Sequence, residues 1–172
     1  STFTTATNYA VTLSDTSASA ANLNTINADT TGLVTATNVT TISSSTFADV
    51  NTLISNRGIS GNAINIDNDY NVTLSDVSIS AANVKVVNND TSGTINISAA
   101  TTITSSTIAD VLEIVQNTGS VFTTATNYAV TLSDATISAA NVKLINADNG
   151  TGTIDISAAT TITSSTIADV LE

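Results

Sequence analysis

The chain repeats itself, and that constrains its fold more than any single motif. The stretch FTTATNYAVTLSD at residues 3–15 recurs letter for letter at 122–134, and ISAATTITSSTIADVLE at 97–113 recurs identically at 156–172. A diverged version of the first stretch occupies 62–76. The long period is therefore about 60 residues, the signature of an array in which each unit buries its apolar face against the next.

The long period divides again at helix starts. Ser19-Ala-Ala-Asn22, Ser80-Ala-Ala-Asn83 and Ser138-Ala-Ala-Asn141 alternate with Thr46-Phe-Ala-Asp49, Thr107-Ile-Ala-Asp110 and Thr166-Ile-Ala-Asp169, each followed by a short apolar run. A Ser or Thr with a polar acceptor three residues on is a helix N-terminus: the hydroxyl takes the N3 backbone N–H, and the N3 side chain reaches back. Ser19, Thr46, Ser80, Thr107, Ser138 and Thr166 are thus the expected caps. They fall on average about 29 residues apart, one coil by the lengths usual for such repeats. The chain reads as a single array of six coils, at approximately 1–31, 32–60, 61–91, 92–119, 120–149 and 150–172.

Within a coil the hydrophobic period changes. Val130-Thr-Leu132, Ile154-Asp-Ile156 and Thr161-Ile162-Thr163 alternate apolar and polar and are rich in β-branched residues, as half-buried strands require. Residues 109–115 and 140–145 instead space apolar side chains three and four apart, as on one helical face. Gly58 and Gly119 follow two of these runs where a C-terminal glycine cap belongs. The expected fold is a right-handed β-rich solenoid with strands and one or two turns of helix per coil, the hand following the rule for parallel crossovers. A pure β-helix without helices is the alternative. Hydrophobic residues at 41% with aromatics at only 3% suit a narrow aliphatic interior, and the absence of proline leaves backbone pairing uninterrupted. Ser, Thr and Asn make up nearly half the chain, but its hydrophobicity is too high for a disordered linker.

Charge and composition exclude several functions. Three basic against 14 acidic residues give a formal net charge of −11, the wrong sign for nucleic acid or an anionic membrane surface. No apolar run approaches the roughly 18 residues of a membrane span. Without His or Cys the common nucleophile–base pairs are unavailable, so no catalytic residue is expected. Arg57, Lys85 and Lys143 are the only cations, and the two lysines share one helix position, held by Asn24 in the first copy. A solvated helix face is the reading for them. Asp15, Asp76 and Asp134 recur once per two coils and read as turn residues.

The run VTLSD, then SAAN-x-x-x-I-N, then TTITSSTIADV resembles long tandem arrays of giant secreted or cell-surface proteins of cyanobacteria and other bacteria. The resemblance spans the whole chain. It implies an extracellular, calcium-tolerant, rod-like spacer in an adhesin, sheath or filament, and carries no catalytic residues. Neither end looks like a polar capping coil, which makes copies of the same chain, stacked end to end, the expected partner. Six residues, 114–119 in the internal copy, are lacking at such a junction.

Three binding readings stand beside the mechanical one. Asp67, Asp69 and Asn71 match the first three ligand positions of a calcium loop, although Val72 and Ser78 stand where its glycine and glutamate belong. No other cofactor is expected. Thr102-Ile-Thr104 and Thr161-Ile-Thr163 resemble the Thr-x-Thr rows of ice-binding surfaces. A glycan or another surface ligand is the third. The Asn-x-Ser/Thr sequons at Asn38, Asn71, Asn89, Asn96 and Asn149 are no more than chance supplies in so Ser/Thr-rich a chain.

Overall fold

A computed structural model describes residues 6–58, 63–163 and 166–170. Residues 3–5 of the first repeated stretch, Asn62 of the middle copy, and Leu171 and Glu172 lie outside the described residues. The first long repeat forms β1 (Val11–Thr12), β2 (Ser17–Ser19), α1 (Ala20–Asp29), β3 (Val34–Thr35), β4 (Thr41–Ser45) and α2 (Phe47–Ser55). The second forms β5 (Ile64–Asn65), β6 (Asn71–Leu74), β7 (Ser78–Ser80), α3 (Ala81–Asn88), β8 (Thr94–Asn96), β9 (Thr102–Ser106) and α4 (Ile108–Val115). The third forms β10 (Val121–Thr123), β11 (Ala129–Leu132), β12 (Thr136–Ile137), α5 (Ala139–Asp148), β13 (Ile154–Asp155), β14 (Thr161–Ile162) and α6 (Ile167–Val170).

The expectation of a β-rich solenoid is overturned, and so is the helix-free β-helix. The chain is an α/β fold: among the described residues, six helices stand beside four separate, open, parallel sheets. The sheets run β1-β3-β5, β10-β8-β6-β4-β2, β13-β11-β9-β7 and β12-β14. Two physical causes account for the difference. First, the helices are longer than one or two turns. Helices α1 to α5 run 10, 9, 8, 8 and 10 residues, more than two turns each, and together the helices hold more residues than the strands. Second, the second and third long repeats each contribute five described strands. That odd number hands equivalent strands to different sheets. The equivalent pairs β1–β3, β6–β8 and β11–β13 therefore lie in the three-, five- and four-stranded sheets respectively.

Every ladder is parallel and joins a strand to its counterpart one unit along. Val11 faces Val34, Val72 faces Ile95, and Val130 faces Ile154. Successive helices pack against one another in the same order. Between helices and sheets lies one aliphatic core, in which Leu23, Leu53, Val84 and Val111 from the helices and Ile42, Ile95 and Ile103 from the strands are at most 1% exposed.

Two of the three tyrosines are core residues, Tyr70 and Tyr128. Their carbonyls come so close to the next unit that only glycine fits opposite: a Cβ at Gly93 or Gly152 would overlap the Tyr70 or Tyr128 carbonyl. The polar group that satisfies each carbonyl sits two or three residues earlier, the Thr91 hydroxyl donating to Tyr70 O at 2.6 Å and the Asn149 amide to Tyr128 O at 3.2 Å.

Ile103 and Ile162 occupy the same place in identical sequences, yet Ile103 is 1% exposed and Ile162 is 50% exposed. Ile103→Ala should cost about 2–5 kcal/mol through lost burial and the cavity left behind. Ile162→Ala should cost about 1 kcal/mol or less, because half of that side chain is already in water. Urea unfolding of both variants at low protein concentration checks the contrast; equal losses would contradict the packing described.

Candidate functional site: a lattice of bonds between repeat units

The helix starts show how the units are joined. Each Ser or Thr cap accepts the N3 N–H of its own helix: Ser19 from Asn22, Thr46 from Asp49, Ser80 from Asn83, Thr107 from Asp110, Ser138 from Asn141. Thr166 accepts the Asp169 N–H at 3.2 Å and donates its hydroxyl to the Asp169 carboxylate at 2.6 Å. The first N–H of each of helices α1 to α4, however, goes to the next unit. Ala20 N–H donates to Ser45 Oγ at 3.0 Å and Ala81 N–H to Ser106 Oγ at 2.8 Å. Phe47 N–H donates to Asp76 Oδ2 at 2.7 Å and Ile108 N–H to Asp134 Oδ2 at 2.6 Å. A carboxylate there also meets the positive end of the helix dipole.

Sequence reasoning took Asp76 and Asp134 for turn residues and missed this role. Their recurrence in step with the Thr-capped starts was the available signal.

The helix faces are tied in the same direction. Lys85 on α3 donates to Asp110 at 2.8 Å and lies 3.2 Å from Glu113, both on α4. Lys143 on α5 stands 3.9 Å from Asp169 on α6. At the equivalent position on α1, Asn24 donates its amide to the Asp49 carbonyl of α2 at 2.8 Å. The position read as a solvated helix face is thus a bridge between helices. Its net worth is modest, because so exposed a pair is screened by water.

Arg57 is the third cation and the most enclosed, with 15% of its side chain exposed. It pairs with Asp90, donates to the Ile66 carbonyl at 2.9 Å and to Asn68 Oδ1, and lies over the Tyr70 ring. Tyr70 in turn donates to Asp90 Oδ2 at 2.6 Å, and Tyr128 to Asp148 Oδ2 at 2.6 Å. Burial, then the bonded carboxylate, pushes both phenols above their ordinary range. All three cations therefore face a carboxylate.

The binding candidates are not assembled into a cage. Asp67 and Asp69 are exposed on one turn, while Asn71 spends its Oδ1 on the Thr94 N–H at 2.8 Å. Among the described residues no group of three His, Cys, Asp or Glu side chains is placed to hold a metal ion. The Thr-x-Thr triplets lie in different sheets, and Thr102 is flanked by Ser78 and Ala129 rather than by threonines. Of the sequons, Asn149 is fully buried and closed to any modifying enzyme. Among the described residues no helix is long and apolar enough to cross a membrane. Comparison with protein-family models, with curated proteins and with solved structures finds no match to this chain.

Two outcomes test the lattice. Asp134→Ala removes a cap from α4 and should cost about 0.5–2 kcal/mol, read by urea unfolding; no loss would make the carboxylate incidental. The second concerns Asp110, whose carboxyl is held below the ordinary carboxylate range, first by the Lys85 ammonium and then by the Thr107 hydroxyl. Because the folded value is the lower one, the stability it adds is present above the unfolded value near pH 3.9 and is lost as pH falls through the folded value. Carboxyl-carbon NMR should place the Asp110 midpoint low in the wild type and higher in Lys85→Met. An unchanged midpoint would deny the ion pair any part in it.

Proposed function

We propose that this chain is a non-catalytic structural repeat module of an extracellular or cell-surface protein, serving as a spacer or filament-forming segment. The observation that carries this reading is the direction of its polar bonds. Helix N-termini, cations and strand edges all find partners one unit along the chain, so polar chemistry goes into joining units. Placement outside the cell rests on the resemblance of its repeated motifs to secreted arrays.

A mechanical role makes evenly spread residues matter equally. A binding role makes one patch matter, and Asp67 with Asp69 is the candidate, two exposed carboxylates beside an open cleft lined by Asn65, Asn68 and Ser92. That calcium-stabilised surface is the second reading.

Single-molecule pulling on the full chain between marker domains separates the two. A spacer should resist extension with or without millimolar calcium, and Val72→Ala and Val130→Ala should weaken it similarly. Extension like that of an unstructured chain would overturn the mechanical reading. Resistance that depends on calcium and disappears in Asp67→Asn/Asp69→Asn would replace it with the second.

A further inference from the structure

The molecule contains one junction twice. At the first, β6 lies on β4 with Ile42 opposite Val72 and Ser45 opposite Leu74. At the second, β11 lies on β9 with Ile103 opposite Val130 and Ser106 opposite Leu132. Both ladders shift register between these pairs, and at both an aspartate just past the incoming strand caps the helix after the receiving strand. At the second junction Ala129 N–H donates to Thr101 O at 2.9 Å, and Ser133 N–H to Ser106 O at 2.9 Å.

Both halves of a third such junction are present, unjoined, at opposite ends of the stack. The receiving half is β14 with α6. Its sequence, 156–172, is identical to 97–113, which supplies β9 and the start of α4. The incoming half is β1, in a sequence identical to that of β11. Strand β14 is the last strand of its sheet, paired only with β12, and β1 is the last strand of its own, paired only with β3.

The side chains agree. Ile103 and Val111 are 1% and 0% exposed, whereas their counterparts Ile162 and Val170 are 50% and 56% exposed. Val130 and Leu132 are fully buried, whereas Val11 and Leu13 are half-buried. Beside β14 an open apolar cleft of about 320 Å³ is lined by Ile137, Val142, Ile154, Ile156, Ile162 and Val170.

We propose that β14 and α6 bind β1 of a second copy of this chain, in the register the molecule already uses twice internally. Val11 of the incoming copy lies opposite Ile162, Leu13 enters the cleft, and Asp15 stands where Asp76 and Asp134 stand. This interface rests on the repeat-module reading and names that module's partner. An edge-to-edge parallel addition of this kind supplies affinity through the backbone ladder and specificity through the side chains. Because the two surfaces differ, the contact is heterologous, and because they lie at opposite ends of the stack each addition presents a fresh edge, so growth continues beyond a dimer.

Sedimentation velocity of the full 172-residue chain over a concentration series tests it, with Val11→Lys and Ile162→Lys each blocking one face. The wild type should lengthen with concentration beyond a dimer. Each variant alone should remain monomeric, and an equimolar mixture should give a heterodimer that grows no further, since each variant keeps the one face the other lacks. Far-UV circular dichroism confirms folding; should Val11→Lys unfold, the exposed Ala10→Pro removes the N–H equivalent to that of Ala129 instead.

A wild type that stays monomeric at its highest soluble concentration, a dimer that stops, variants that still lengthen, or a mixture that fails to pair would each overturn the proposal. A monomer that nevertheless resists pulling leaves the spacer reading standing, which keeps the two failures distinguishable.

Discussion

No unit of this protein completes its own hydrogen bonding, and the rest of the structure follows from that. Each of helices α1 to α4 closes its N3 N–H with its own hydroxyl and sends its first N–H to a serine or aspartate of the unit that follows. An unpaired backbone donor in a partly buried setting costs roughly as much as a lost hydrogen bond. A unit without its neighbour therefore loses more than apolar contact. The ladders reinforce this, since every strand takes its partner from another unit. Cooperativity thus arises from polar geometry as well as from the continuous aliphatic core.

Much of this was legible in the sequence, and the residues explain which parts. The cap positions could be read because capping is local: a hydroxyl and an N–H three residues apart need nothing else to meet. The strand segments around Val130 and Ile154 could be read because alternation is also local. The fold class was not legible. A tetrad such as Ser80-Ala-Ala-Asn83 announces where a helix begins, but its end is decided by packing on neighbouring helices, and α3 runs to Asn88. Nor does periodicity count strands per repeat, and the fifth strand is what divides the ladders among four open sheets.

The polar lattice was half visible. Lys85 and Lys143 were recognisable as one position, yet only coordinates reveal that the position faces the following helix. Asp134 illustrates the general reason. A carboxylate after VTLS looks like a turn residue in one dimension, because the helix it caps begins 26 residues earlier. Long-range pairing of this kind leaves no local trace beyond matched recurrence. The calcium-like run shows the converse: it is a local pattern, and what no local pattern reveals is that Asn71 also has a distant use, the Thr94 N–H.

The buried phenols give the molecule an alkaline limit. Tyr70 and Tyr128 hold their protons through burial and through Asp90 and Asp148, whereas in an unfolded chain they would ionise near pH 10. Above that pH the unfolded state gives up protons the folded state retains, so base favours unfolding. With no tryptophan in the chain, tyrosine dominates its near-ultraviolet absorption. Tyr9 lies outside the core, but the other two chromophores are the groups whose release breaks it, and their share of the colour change in base titration reports the collapse of the stack itself.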